Sequence, residues 1–185
     1  MEYHAASHKL AAYRERIAAL RSEMRKVQEA VEPQQVDSYS FDTMDGPVTL
    51  ADLFVIHNMG TSCPYCTMWA DGFNGVIDHL QSRAAFVLTS PDPPAAQQAF
   101  RTARGWKFRM VSHQGNGFAA DMGYRSDKGC QPGISVFRKL NGAIVRVSDA
   151  ALGPGDDFCT VWHFLDLLPA GAGEWEPDFT YRDAG

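Results

Sequence analysis

Leu53-Phe54-Val55-Ile56-His57-Asn58-Met59-Gly60-Thr61-Ser62-Cys63-Pro64-Tyr65-Cys66 is the stretch on which the reading of this chain turns. Residues 53 to 59 form a continuous apolar run of the length of a buried strand. Beyond the cysteines, Trp69, Phe73, Val76, Ile77 and Leu80 recur at helical intervals, and Cys66 falls on that stripe. A helix is therefore predicted over residues 64 to 81, with Cys63 at its mouth and Cys66 one turn in, on its covered face. Unpaired amides at a helix start favour a thiolate. Two thiols at this spacing can also close a small ring, so the second can displace whatever the first has captured. The arrangement suits thiol-disulfide exchange, with Cys63 attacking and Cys66 resolving.

Outward from this motif, strands and helices alternate. Ala85–Thr89 and Phe108–Ser112 read as buried strands, with a helix over 95 to 104 between them, opened by Pro91-Asp92-Pro93-Pro94. A glycine-rich bend and a short helix near 117 to 123 follow. This alternation predicts an α/β fold with a parallel sheet covered on both faces. Ile134–Arg138 and Ala143–Val147 then flank Leu140-Asn141-Gly142, a strong hairpin signal. Asp156 or Asp157 is expected to cap a last helix carrying Val161, Phe164, Leu165 and Leu168. The tail from Ala170 is expected to be extended and anchored by Trp175, Phe179 and Tyr181. Upstream, Val36–Phe41 reads as a short strand, Asp45-Gly46-Pro47 as a turn and 49 to 53 as a helical turn.

Residues 1 to about 31 read as one long helix, ended by Pro33. Leu10, Tyr13, Ile17, Leu20, Met24, Val27 and Val31 alternate in steps of three and four, the spacing of a coiled-coil seam. Either a homodimer through this helix or an arm packed on its own domain satisfies the stripe. The organisation predicted is an N-terminal helical arm over 1–33 and one α/β domain over 34–185.

The chain has 185 residues, 45% of them hydrophobic and 21% charged, which suits one globular domain with a full core. A formal net charge of -5 argues against nucleic acid or an anionic membrane as a partner. No apolar run is long enough to span a bilayer. The first thirty residues are too charged for a secretory signal, so the expected compartment is a reducing cytoplasm. Of four cysteines, Cys130 and Cys159 do not form a second C-x-x-C, which weakens a four-cysteine zinc site.

A C-x-x-C at a helix mouth, β-α units, and a proline directly before a hairpin and closing helix resemble the thioredoxin superfamily. The added β-α unit resembles its peroxiredoxin-type branch. More narrowly, Gly60–Phe73, Val111–Gly115 and Gly153–Phe158 are similar to a bacterial thioredoxin-like group catalogued as a domain of unknown function. The resemblance covers residues 36 to 181. It implies a central mixed sheet flanked by helices, and a cis bond from Gln131 to Pro132 lying against the cysteine pair. It also implies thiol or disulfide protein substrates, or peroxides, with an external thiol reductant and no organic cofactor.

The departures are specific. Cys-Pro-Tyr-Cys is the glutaredoxin form of the motif. Peroxiredoxins have Thr and Pro where this chain has Gly60 and Ile56, and often Arg where it has Gln131. Thioredoxins bury an acid six residues before the first cysteine, where His57 stands here. His57 is either a general base for Cys66 or a core histidine. Pro64, Tyr65, Gln131, Pro132 and His113 are candidate substrate-binding residues. Cys130 is read as a small buried hydrophobe that the fold could bring near the pair. Two other readings remain: a Zn or Cu(I) module joining Cys63 and Cys66 to His57 or His113, and a non-catalytic interaction domain.

Overall fold

The computed structural model describes residues 2–44, 48–49 and 53–181. By its internal contacts the chain divides into two units, Met1–Gln34 and Gln35–Gly185. The first is a single helix, α1 (Tyr3–Ala30), built from strong helix formers. None of its residues is buried, and the heptad stripe from Leu10 to Val31 is 46% to 67% exposed.

The second unit is built on a mixed sheet of β1 (Gln34–Gln35), β4 (Leu53–His57), β5 (Ala85–Ser90), β6 (Arg109–Ser112), β9 (Gly133–Leu140) and β10 (Ala143–Ala151). Their spatial order is β1-β10-β9-β4-β5-β6. β4, β5 and β6 are parallel, whereas β9 runs antiparallel to β4 and forms a hairpin with β10. The hairpin turns through Asn141 and Gly142, at φ 50° and 86°. Left-handed backbone is what an Asn-Gly turn supplies. Two small hairpins lie beside the sheet: β2 (Ser40–Phe41) with β3 (Val48–Thr49), and β7 (Arg125–Ser126) with β8 (Gly129–Cys130).

Strand alternation sorts the core into two layers. Ile56, Phe86, Leu88, Met110 and Ile134 face one side, covered by α2 (Pro64–Gln81) and α5 (Thr160–Leu165) through Cys66, Trp69, Phe73, Ile77 and Trp162. Leu53, Val55, Val111 and Phe137 face the other, against Phe41, Phe118 of α4 (Phe118–Asp121), Met122 and Tyr124. Helix α3 (Pro94–Arg104) sends the buried Gln97 amide to Ser90 O and Val111 O, tying β5 to β6.

Several expectations are corrected. Val36–Tyr39 is not a strand; only Ser40–Phe41 pairs. Thr49 lies in a strand rather than a helical turn, and residues 45–47 and 50–52 fall outside those described. The last helix is shorter than its stripe suggested. It buries Trp162 but leaves Phe164 and Leu168 exposed. Asp156 does not cap it directly; its carboxylate instead gathers the Gly153, Phe158 and Cys159 amides into a tight loop. In the tail, Trp175 and Phe179 are half-buried, while Tyr181 is exposed.

Candidate functional site

Parallel strands present their carboxyl ends on one edge of the sheet, and the loops beyond them are where ligands gather. Here that edge carries Asn58–Cys66 after β4, Pro91–Pro93 after β5 and His113 after β6. The start of β9 also reaches it, because Gly133 faces His57 across the ladder.

Cys63 is the N-cap of α2, and Pro64 fills the first helical position, where a missing N–H costs nothing. The Cys66 amide donates to Cys63 Sγ at 3.1 Å. Cys63 O in turn accepts from Thr67 N and Oγ1. The Cys66 thiol donates to Cys63, and with the Cys66 and Tyr65 amides it lowers the Cys63 pKa to about 7 against the opposing effect of burial. The same contact, together with burial, pushes the Cys66 thiol up, although the Met59 amide approaches its sulfur at 3.4 Å. Both are free thiols, 8% and 3% exposed.

The loop before Cys63 is tied down by Asp92, a residue the sequence reading did not single out. Its carboxylate accepts from Thr61 N at 2.9 Å, Thr61 Oγ1 at 3.2 Å and Ser90 Oγ at 2.8 Å. Gly60 lies at φ 118°, a conformation that side-chain-bearing residues rarely adopt. A Pro-Asp-Pro-Pro run directly after a parallel strand was the available signal for Asp92. On the helix flank, Trp69 Nε1 donates to Asp156 at 2.8 Å, and Tyr65 lies against Trp69 and Trp162 at ring separations of 6.2 and 6.3 Å.

His57 is not brought to the cysteines. Strand parity places it with Leu53 and Val55, on the face away from α2. There it stacks on Tyr124 at 3.9 Å and shares a 2.9 Å hydrogen bond between Nε2 and Ser135 Oγ. Burial, then the His113 and Arg146 charges, lower its pKa to about 3. It is a neutral core histidine, and none of its described contacts reaches Cys66.

Pro132 departs from expectation as well. No peptide bond among the described residues is cis, so Gln131–Pro132 is trans. Its backbone is already engaged: Gln131 N donates to Tyr124 O, and Pro132 O accepts from Leu152 N. An extended trans entry is what delivers Gly133 into β9. The Gln131 side chain is exposed beside it.

His113 does reach the site edge. It is 3% exposed, its amide donates to Ser90 O, and its Nε2 stands 4.0 Å from Cys130 Sγ. Burial lowers its pKa. Among the described residues, no three His, Cys, Asp or Glu side chains converge as a metal-binding group, so the metal-module reading has no donor set here. Nor is any described helix long and apolar enough to cross a membrane.

Comparison with known proteins agrees with this architecture. No curated protein matches the chain. Among solved structures, reduced Prx3 from Vibrio vulnificus superposes with a TM-score of 0.57 at 14% identity, over 68% of this chain and 89% of that one. The peroxidoxin BcpB from Mycobacterium tuberculosis gives 0.55 at 18% identity, over 64% and 84%. Peroxiredoxin Q from Xanthomonas campestris gives 0.54 at 18%, over 61% and 79%. The fold is thus thioredoxin-like and of the peroxiredoxin type. The family model described as bacterial protein of unknown function (DUF899) matches residues 2–183, and the chain belongs to that family.

Proposed function

We propose that this chain is a thiol-disulfide oxidoreductase acting through Cys63 and Cys66. The observation that carries the reading is the Cys63 sulfur, seated as the cap of α2 and accepting the Cys66 amide at 3.1 Å. A thiolate so held is populated near neutrality, while its partner stays protonated.

Cys63 thiolate attacks one sulfur of a substrate disulfide. A Cys63–substrate bond forms, and the other substrate sulfur leaves as thiolate. Cys66 then gives up its proton to that leaving thiolate and attacks Cys63 Sγ, expelling the second substrate sulfur. The substrate gains two electrons, and the pair becomes a disulfide that an external thiol reductant reopens. Pro64 and Tyr65 border the attacking sulfur; Gln131 and Pro132 flank the other side of the edge.

Disulfides fit this site better than peroxides. Where peroxiredoxins carry the threonine, Gly60 has no side chain, and the neighbouring Thr61 hydroxyl is committed to Asp92. The test is oxidation of the full chain by glutathione disulfide, with the Cys66→Ser variant alongside. Wild-type protein should close a Cys63–Cys66 disulfide, and the variant should accumulate a stable mixed disulfide at Cys63. A pair that stays reduced, or a variant that cycles at the original rate, overturns the proposal.

A further inference from the structure

The thiol pair at the centre of this site is nearly covered, at 8% and 3% exposure, whereas Cys130 is only half-buried. Cys130 sits on β8 opposite Arg125, at the end of the two-pair β7–β8 hairpin. Three residues later the chain enters β9 at Gly133, directly across from His57. Cys66 is held from the same strand end, its sulfur against the amide of Met59, two residues beyond His57. The topology therefore delivers Cys66 and Cys130 to one corner, and the two are near enough for their charges to interact. The third side of the corner is His113, buried, with Nε2 facing the Cys130 sulfur and Nδ1 without a partner.

Resting on the thiol-disulfide reading above, we propose that Cys130 is a third redox thiol, the one through which the covered Cys63–Cys66 disulfide is reopened from solvent. Cys130 gives its proton to His113 Nε2 and attacks Cys66 Sγ. The Cys63–Cys66 bond breaks, its electron pair leaves on Cys63 as thiolate, and a Cys66–Cys130 bond forms. The number of disulfides is unchanged, and no oxidant is consumed. An external dithiol then attacks Cys130, releasing Cys66, which recovers the proton from His113. The second sulfur of the dithiol displaces Cys130 as a thiol and leaves the reductant oxidised.

Three features favour this direction. A disulfide is attacked fastest where the departing sulfur is the more acidic. Cys63 is that sulfur, so the attack falls on Cys66. Second, His113 Nε2 stands 4.0 Å from the Cys130 sulfur, in place to take its proton, and although burial and the Asp92 charge raise the Cys130 pKa, the Arg125 charge offsets part of that rise. Third, the thiol most open to a reductant is not a member of the pair.

The test uses the full chain, oxidised with one equivalent of glutathione disulfide, quenched at intervals with N-ethylmaleimide and mapped by peptide mass spectrometry. A Cys63–Cys66 peptide should appear first, followed by a Cys66–Cys130 peptide with Cys63 again alkylated. In Cys130→Ser, reduction of the Cys63–Cys66 disulfide by dithiothreitol should slow by about tenfold or more. The ability of that variant to form the disulfide at all serves as its check of folding, and Cys130→Ala provides a second replacement. Absence of the Cys66–Cys130 peptide, or reduction of both variants at the wild-type rate, overturns the inference while leaving the two-cysteine chemistry intact. Failure of wild-type protein to form Cys63–Cys66 overturns the chemistry itself, and the third thiol with it.

Discussion

Cys63 and Cys66 stand one helical turn apart, and their surroundings push them in opposite directions. Cys63 gathers hydrogen bonds from the Cys66 side chain and from two amides, and Cys66 supplies two of the three from a covered position. The rate of alkylation of Cys63 by iodoacetamide should therefore break near pH 7, with Cys66 unlabelled in the native protein; first labelling at Cys66 would reverse the roles. The shift also has a sign for stability. A folded-state pKa below the unfolded one stabilises the reduced protein where the thiolate is present, so the gain is full above about pH 9 and is lost as pH falls through 7. His57 adds a slope of the same sign at lower pH. Its neutral form is favoured in the fold, so stability should fall as pH drops from about 6.5 toward 3. Urea midpoints measured across that range should show the slope, and His57→Gln should flatten it. The place of Cys63 at the helix mouth and of Cys66 on the covered face was legible from a helix start and one apolar stripe. The fate of His57 was not, because strand parity depends on which face each neighbouring element covers.

At the scale of elements, Gly133 shows how tightly the start of β9 is set. A Cβ there would lie 1.9 Å from Tyr124 Cε1. That ring cannot easily retreat. It stacks on His57, and its hydroxyl lies 3.2 Å from Ile134 O, 3.2 Å from Ala150 O and 3.3 Å from Asp149 Oδ2. Gly133→Ala should cost about 1–3 kcal/mol, the range for overpacking a filled core, measured by denaturant unfolding. Asp92→Ala should act on reactivity more than on stability. Loss of its two bonds to Thr61 frees the loop before the cap, so Cys63 alkylation should become less acid-shifted while the far-ultraviolet spectrum holds. The Asn-Gly hairpin and the helix after the cysteines were readable because their signals are local. Val36–Tyr39 alternates like a strand yet forms none, with the Val36 amide alone bonded to Ile144 O, since pairing is decided by a partner far away in sequence. The last helix misled for a related reason: its stripe was apolar throughout, but only Trp162 is fully buried, Val161 and Leu165 are partly covered, and Phe164 and Leu168 are left exposed.

For the whole molecule, the heptad stripe of α1 stands out, since no residue of that helix is buried. The stripe has the spacing of a coiled-coil seam, and we propose that a second copy of the helix covers it. Light scattering should find a dimer for the full chain and a monomer for a chain starting at Val36. A monomer in both cases would end that proposal. The fold class was legible because alternating β-α units and a terminal hairpin leave few topologies; Cys130 and His113 were each expected near the cysteine edge, but their contact with one another was not, since it exists only once β9 has returned to β4. That return has a consequence in time. The strand leading to the cysteines receives its second neighbour only after more than seventy further residues have been made, and ribosomes add roughly 5–20 residues each second. For several seconds the newborn chain carries a finished nucleophile beside an open strand edge. Whether those sulfurs first meet one another or a neighbouring polypeptide is then settled by the order of synthesis as much as by the depth of the final energy well.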